Sequence, residues 1–188
     1  MIYLASSSPR RHSLLQQINI PHQQITVTVD ETPNPQETPD HYVQRLAVAK
    51  AQAAQSQIPA PYPILAADTI VTYQGHLLGK PQTPQAAHHM LTQLSGRSHQ
   101  VMTAVAILTP HIQKVQLSTS TVHFRTLEQQ EIAHYITTAE PFDKAGSYAI
   151  QGIASIFIQH IEGSYSGIMG LPLYETALLL KDIGIPVL

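Results

Sequence analysis

The chain has 188 residues, a formal net charge of -2, 43% hydrophobic and 12% charged residues, and no cysteine. That length suits one globular domain, 1–188, with a core of its own. Charged residues make up about a quarter of an ordinary soluble domain, so half that density leaves no basic field for duplex phosphates and argues against sequence-neutral nucleic-acid binding. The missing cysteines exclude disulfides, thiolate zinc sites and cysteine nucleophiles.

The opening apolar run Ile2-Tyr3-Leu4-Ala5 predicts a buried strand. It is too short for a signal peptide or a membrane span, so the sequence predicts a cytoplasmic protein with no membrane partner. Ser8 and Pro9 form an N-cap and first-turn pair for a helix carrying Leu14, Leu15 and Ile18. A second strand is expected at Ile25–Val29, running into Asp30-Glu31 and a proline-rich loop from Thr32 to Pro39. Thr38-Pro39 opens the next helix, in which Tyr42, Val43, Leu46, Ala47, Ala53 and Ala54 recur at helical spacing. Lys50 falls on that apolar stripe.

Residues 63–71 predict a buried strand interrupted at its centre by Asp68 and Thr69. A turn at Gln74-Gly75 leads to Leu77-Leu78 and then to Gly79-Lys80-Pro81. Thr83-Pro84 caps a helix ending at Ser95-Gly96, and strands follow at about 99–108 and 115–125. Thr126 and Gln129 fit a capping box for a helix holding Ile132, Tyr135 and Ile136. A mixed stretch to Gly152, a strand around Ile156–Ile158 and a last helix after Gly170-Leu171-Pro172 complete the chain. Strands and helices alternate without strict βαβ regularity, which predicts an α/β fold with a mixed β-sheet and flanking helices.

Several polar residues sit where this pattern does not call for them. Ser6 to Arg11 combine hydroxyls, free N–H groups at a helix start and two guanidinium groups, which suits either a polyphosphate site or an ordinary capped helix with surface arginines. A carboxylate at Asp68 must be paired, protonated, metal-bound or hydrogen-bonded to loop backbone. Lys50 needs an anion or must snorkel to the helix edge. Glu31 at a strand end and Lys80 in a tight turn are surface charges when taken singly. The chain has only five lysines and five arginines, so their concentration at strand ends and helix starts suggests a triphosphate cleft with a divalent ion. The eleven histidines show no zinc spacing and are expected at the surface, and no GxSxG elbow is present for a serine nucleophile.

Taken together, LASSSPRR (4–11), DE (30–31), YVQRLAVAKA (42–51), AADTIV (66–71), GKP (79–81), LSGRSHQVMTAVA (94–106), DKAGSYAIQG (143–152) and GLPL (170–173) resemble the Maf family of nucleotide pyrophosphatases. The resemblance implies an inosine-triphosphate-pyrophosphatase-like fold with a deep nucleotide cleft. It implies hydrolysis of a nucleoside triphosphate to monophosphate and pyrophosphate with Mg2+ or Mn2+, and a homodimer. AGSYAIQG is similar to the branch acting on dTTP and UTP. The alternatives are the same chemistry on 7-methyl-GTP and a non-catalytic nucleotide-binding regulator of cell division.

The resemblance assigns Asp68 as general base or metal ligand and Glu31 as companion carboxylate and metal ligand. Lys50, Lys80, Arg10 and Arg11 would neutralise phosphate, Ser8 would orient it, and Arg10, Thr69 and Gln151 would take part in substrate selection. One departure stands out: Gly167-Ile168-Met169 occupy positions where the family more often shows Asn followed by two valines.

Overall fold

The computed structural model describes residues 1–58 and 62–187. The first apolar run is β1 (Ile2–Ala5), and Pro9 opens α1 (Pro9–Gln17). Next come β2 (His22–Ile25), α2 (Pro39–Gln55), β3 (Ile64–Tyr73), β4 (His76–Leu78) and α3 (Pro84–Leu94). They are followed by β5 (Ser98–Leu108), β6 (Gln113–Phe124) and α4 (Gln129–Ile136). Short 3-10 turns occupy Glu140–Asp143, Ala145–Ser147 and Ile153–Phe157, ahead of β7 (Ile158–Glu162), α5 (Tyr165–Met169) and α6 (Leu173–Asp182). Among the described residues the strands form a seven-stranded sheet in the order β2-β1-β3-β5-β6-β7, with β4 paired to β3. β1 runs parallel to β2 and β3, whereas β4 on β3 and β7 on β6 are antiparallel, so the sheet is mixed as expected. No helix among the described residues is long and apolar enough to cross a membrane.

The chain divides into two compact units, the first of Met1–Asp68, Thr103–Ser118 and Gly170–Leu188, the second of Thr69–Met102 and Thr119–Met169. In the first unit, α2 buries Val43, Leu46, Ala47, Ala51 and Ala54. Its alanines cluster with Ala5, Ile64, Ala66 and Leu108 of the strands, because small side chains let a helix lie close to a sheet. The second unit is built on aromatic packing. Phe124 meets Tyr148 edge-on at 4.9 Å, and Tyr135 meets Phe157 at 5.1 Å. Such pairs contribute about 0.5–1.5 kcal/mol each beyond the burial of their surface.

Four local expectations need correction. β2 lies at His22–Ile25 rather than 25–29, because it pairs residue for residue with β1 and the ladder ends where that four-residue strand ends. The capping box of α4 is made by Glu128 and Glu131, not Thr126 and Gln129. Glu131 is drawn there by Arg125, which grips its carboxylate at 2.6 and 2.9 Å. The segment Ile153–Phe157 is a 3-10 turn and the strand begins only at Ile158, where pairing with Phe124 starts. Finally, His99 is not at the surface: it is 3% exposed, its Nε2 lies 2.8 Å from the Tyr148 hydroxyl, and its ring packs on Phe124. Burial, aided by the His123 charge, pushes its pKa down to about 4.

Candidate functional site

The first unit gathers the out-of-pattern charges into one cluster. β3 carries Asp68 into the interior at 7% exposure, and its Oδ1 accepts from Lys50 Nζ at 2.5 Å. The same ammonium meets Glu31 Oε1 at 2.7 Å. Lys50 therefore neither snorkels away nor stands alone on its stripe. It is the bridge between two carboxylates, and among the described residues two of its three N–H donors are engaged there.

Glu31 sits in a loop without regular structure, and α2 holds that loop in place. Tyr42 donates its hydroxyl to the Glu31 carbonyl at 2.7 Å. Arg45 grips Glu37 at 2.6 and 2.7 Å and donates to the Thr32 carbonyl at 3.1 Å. The bidentate Arg45 contact holds the Glu37 carboxyl down at about 2. Burial raises the Tyr42 hydroxyl above its usual range, and the charges of Asp68 and Glu31 add to the effect.

Arg11 belongs to the same unit. Its Nε donates to the Gly170 carbonyl at 2.7 Å and its Nη1 to Ser6 Oγ at 3.2 Å. Burial lowers its pKa, opposed by the Asp68 charge. Ser8 occupies the N-cap of α1 but makes no side-chain cap bond. Its backbone N–H instead donates to Ser6 Oγ at 3.2 Å, so the buried serine of this turn is Ser6. Arg10 is half-buried in the first turn of α1.

Thr69, Lys80 and Gln151 belong to the second unit. Thr69 follows Asp68 on β3, so the two side chains leave opposite faces of the strand. Lys80 and Gln151 are both exposed. Their segments are tied together where Gly146 N–H donates to the Gly79 carbonyl at 3.1 Å. Gly146 has φ +70°, and a Cβ there would lie 2.9 Å from Val71 Cγ1, so only glycine fits this crossing. The departure from the family pattern falls in α5, where Ile168 is buried in the aromatic core and Met169 packs against it.

The Glu31 and Asp68 carboxylates, converging on one nitrogen, form a hard oxygen donor pair. Among the described residues no group of three or more His, Asp or Glu could hold an ion unaided. Two carboxylates fit a cation such as Mg2+, which keeps water and substrate phosphates as its other ligands.

Sequence reasoning missed Tyr42 and Arg45 as supports of the loop that carries Glu31. Tyr42 and Arg45 lie three residues apart on α2, a spacing that places both toward the preceding loop, and this was the available signal.

These features define an α/β protein whose first unit gathers one lysine and two carboxylates in a cluster and carries two arginines in the first turn of α1. The family described as Maf-like protein matches residues 1–183, and the chain belongs to the Maf family. It is 47% identical over 196 residues to the dTTP/UTP pyrophosphatase of Nitrosospira multiformis, covering 98% of this chain and 95% of that protein. It is 48% identical over 199 residues to the dTTP/UTP pyrophosphatase of Nitrosomonas europaea, covering 99% and 96%. Among solved structures, the Staphylococcus aureus Ham1 protein is similar at a TM-score of 0.46 and 18% identity, over 65% of this chain and 71% of that one.

Proposed function

We propose that this protein is a dTTP/UTP pyrophosphatase, releasing nucleoside monophosphate and pyrophosphate. The observation that carries the reading is the Glu31–Lys50–Asp68 cluster, found in a chain 47% identical, over 98% of its length, to a relative named for that activity.

In this reading a water oxygen bonds to the α-phosphorus as the bridging bond to the β-phosphate oxygen breaks. The bonding electrons leave on pyrophosphate, and the water proton passes to Asp68 as general base. Glu31 is the companion carboxylate. Lys50 turns its third N–H toward phosphate while keeping Asp68 in place. Lys80, Arg10 and Arg11 offset the charge that develops on the leaving group, and Ser8 with the N–H groups at the start of α1 orients the chain. A divalent ion held by Glu31 and Asp68 would shield the phosphates and make water a better nucleophile. Gln151 presents both an amide donor and an acceptor, the complement of a thymine or uracil edge, with Thr69 assisting selection.

The test is release of pyrophosphate against orthophosphate from dTTP, UTP, CTP and 7-methyl-GTP with Mg2+ or Mn2+, run beside Asp68→Asn. Pyrophosphate from dTTP and UTP, lost in the variant, supports the reading. Binding of nucleotide without turnover overturns it in favour of a regulator.

A further inference from the structure

Gln151 is exposed and stands on a turn closed by the Gly152 N–H donating to the Ala149 carbonyl at 3.1 Å. Ala149 and Ile150 before it are buried, but Gln151 itself stands on no regular element, and a residue meant to distinguish bases must hold its amide still. The hold comes from Glu140. Its Oε2 accepts from the Ile153 N–H at 2.8 Å, and its Oε1 accepts from the Ala154 N–H at 3.2 Å and from the Tyr135 hydroxyl at 3.0 Å.

The carboxylate also fills the space where residue 152 would carry a side chain. A Cβ on Gly152 would lie 2.3 Å from Glu140 Oε2. Tyr135 is 2% exposed, which fixes the far side of the carboxylate against the core. At the other end of the segment, Tyr148 is held by its 2.8 Å contact with His99. The backbone carrying Gln151 is thus gripped three residues before it and two and three residues after it.

We infer that Glu140 is a positioning residue for base selection, holding the turn that presents Gln151 so that its amide meets a pyrimidine edge in one orientation. The inference rests on the proposed role of Gln151. Thymine and uracil offer an acceptor beside an N–H, and cytosine offers the reverse order. A Gln amide on a fixed turn favours one order, whereas on a loosened turn it rotates to serve either.

Glu140→Gln keeps the shape but replaces one acceptor oxygen with an NH2 group that faces a backbone donor. We expect the ratio of kcat/KM for dTTP over CTP to fall about tenfold or more in this variant, mainly through loss with dTTP. In a Gln151→Ala background the same substitution should change the ratio less than about twofold, because the two residues act as one unit. Tyr135→Phe removes one bond to Glu140 but leaves both backbone contacts, so it should lower thermal stability with the ratio kept. Gly152→Ala displaces the carboxylate by another route and gives an independent reading if Glu140→Gln does not fold.

Equal losses on every nucleotide, or the same drop with and without Gln151, would overturn the inference. A wild-type preference for a base other than thymine or uracil would overturn the functional reading instead. Glu140 is then judged by whether its variant erodes that other preference. No turnover of any nucleotide overturns both.

Discussion

The Lys50 cluster and the Gln151 turn solve the same problem, holding polar groups in place, by opposite means. The first rests on regular elements: a ten-residue strand delivers Asp68, and a seventeen-residue helix delivers Lys50, Tyr42 and Arg45. The second has short 3-10 turns and a glycine, with one carboxylate tying backbone N–H groups together. In the proposed mechanism the proton-accepting carboxylate is thus mounted on a strand, while its companion Glu31 stands on a loop that Tyr42 and Arg45 of α2 hold. In the proposed function, base recognition falls to an irregular turn held by the Glu140 carboxylate, by the Tyr148 contact with His99 and by buried Ile150.

The comparison breaks most sharply at Asp68. In the proposed mechanism Asp68→Asn keeps the size but removes the base, and turnover should fall at least about a hundredfold. Near-wild-type turnover would mean that the cluster is structural.

In the second unit the largest effect is on stability. His99 is buried neutral with its pKa at about 4, so the unfolded chain takes up a proton first, near 6.5. The contribution from keeping His99 neutral is full above about pH 6.5 and is lost as pH falls toward 4, up to about 3 kcal/mol. Thermal midpoints of wild type and His99→Phe across pH 4 to 7 test this, and the variant should lack the extra fall.

Gly152→Ala should destabilise by about 1–3 kcal/mol, because the colliding carboxylate is itself held by three hydrogen bonds. A denaturant midpoint unchanged from wild type would show that the carboxylate moves aside freely.

The smallest effect is expected at Arg45→Lys, which loses the bidentate grip on Glu37 and loosens the loop bearing Glu31. The Glu37 carboxyl is held at about 2 in the folded chain, so its contribution is present above about pH 4.5 and lost as pH falls toward 2. In Arg45→Lys that acid loss should shrink, seen as a shallower fall in melting temperature between pH 4.5 and 2.

The two regions also differed in how far the sequence exposed them. Asp68 and Lys50 stood out because each breaks a run of apolar residues whose period is plain, and a charge in such a place needs a partner. Glu140 breaks nothing: it lies in an aperiodic stretch beside Pro141, and its partners are the Tyr135 hydroxyl and backbone N–H groups thirteen and fourteen residues on. The misplacement of β2 has a similar cause. Residues 25–29 have strong strand propensity, but pairing length is set by β1, which only the assembled sheet reveals. His99 was legible in principle, since it alternates with buried Val101 and Thr103 on one face of β5.

The bond from Arg11 to the Gly170 carbonyl spans 159 residues and has a consequence for biosynthesis. At about 5–20 residues per second, the ribosome makes Arg11 roughly 10 to 30 s before its acceptor exists. The last segment of the first unit, Gly170–Leu188, contributes the buried Leu179 and Leu180 as well. A nascent chain interrupted before that segment therefore lacks the anchor for its own helix-start arginine. It would carry Glu31, Lys50 and Asp68 without the proposed site's anchored arginine, so truncated products should release no pyrophosphate from dTTP.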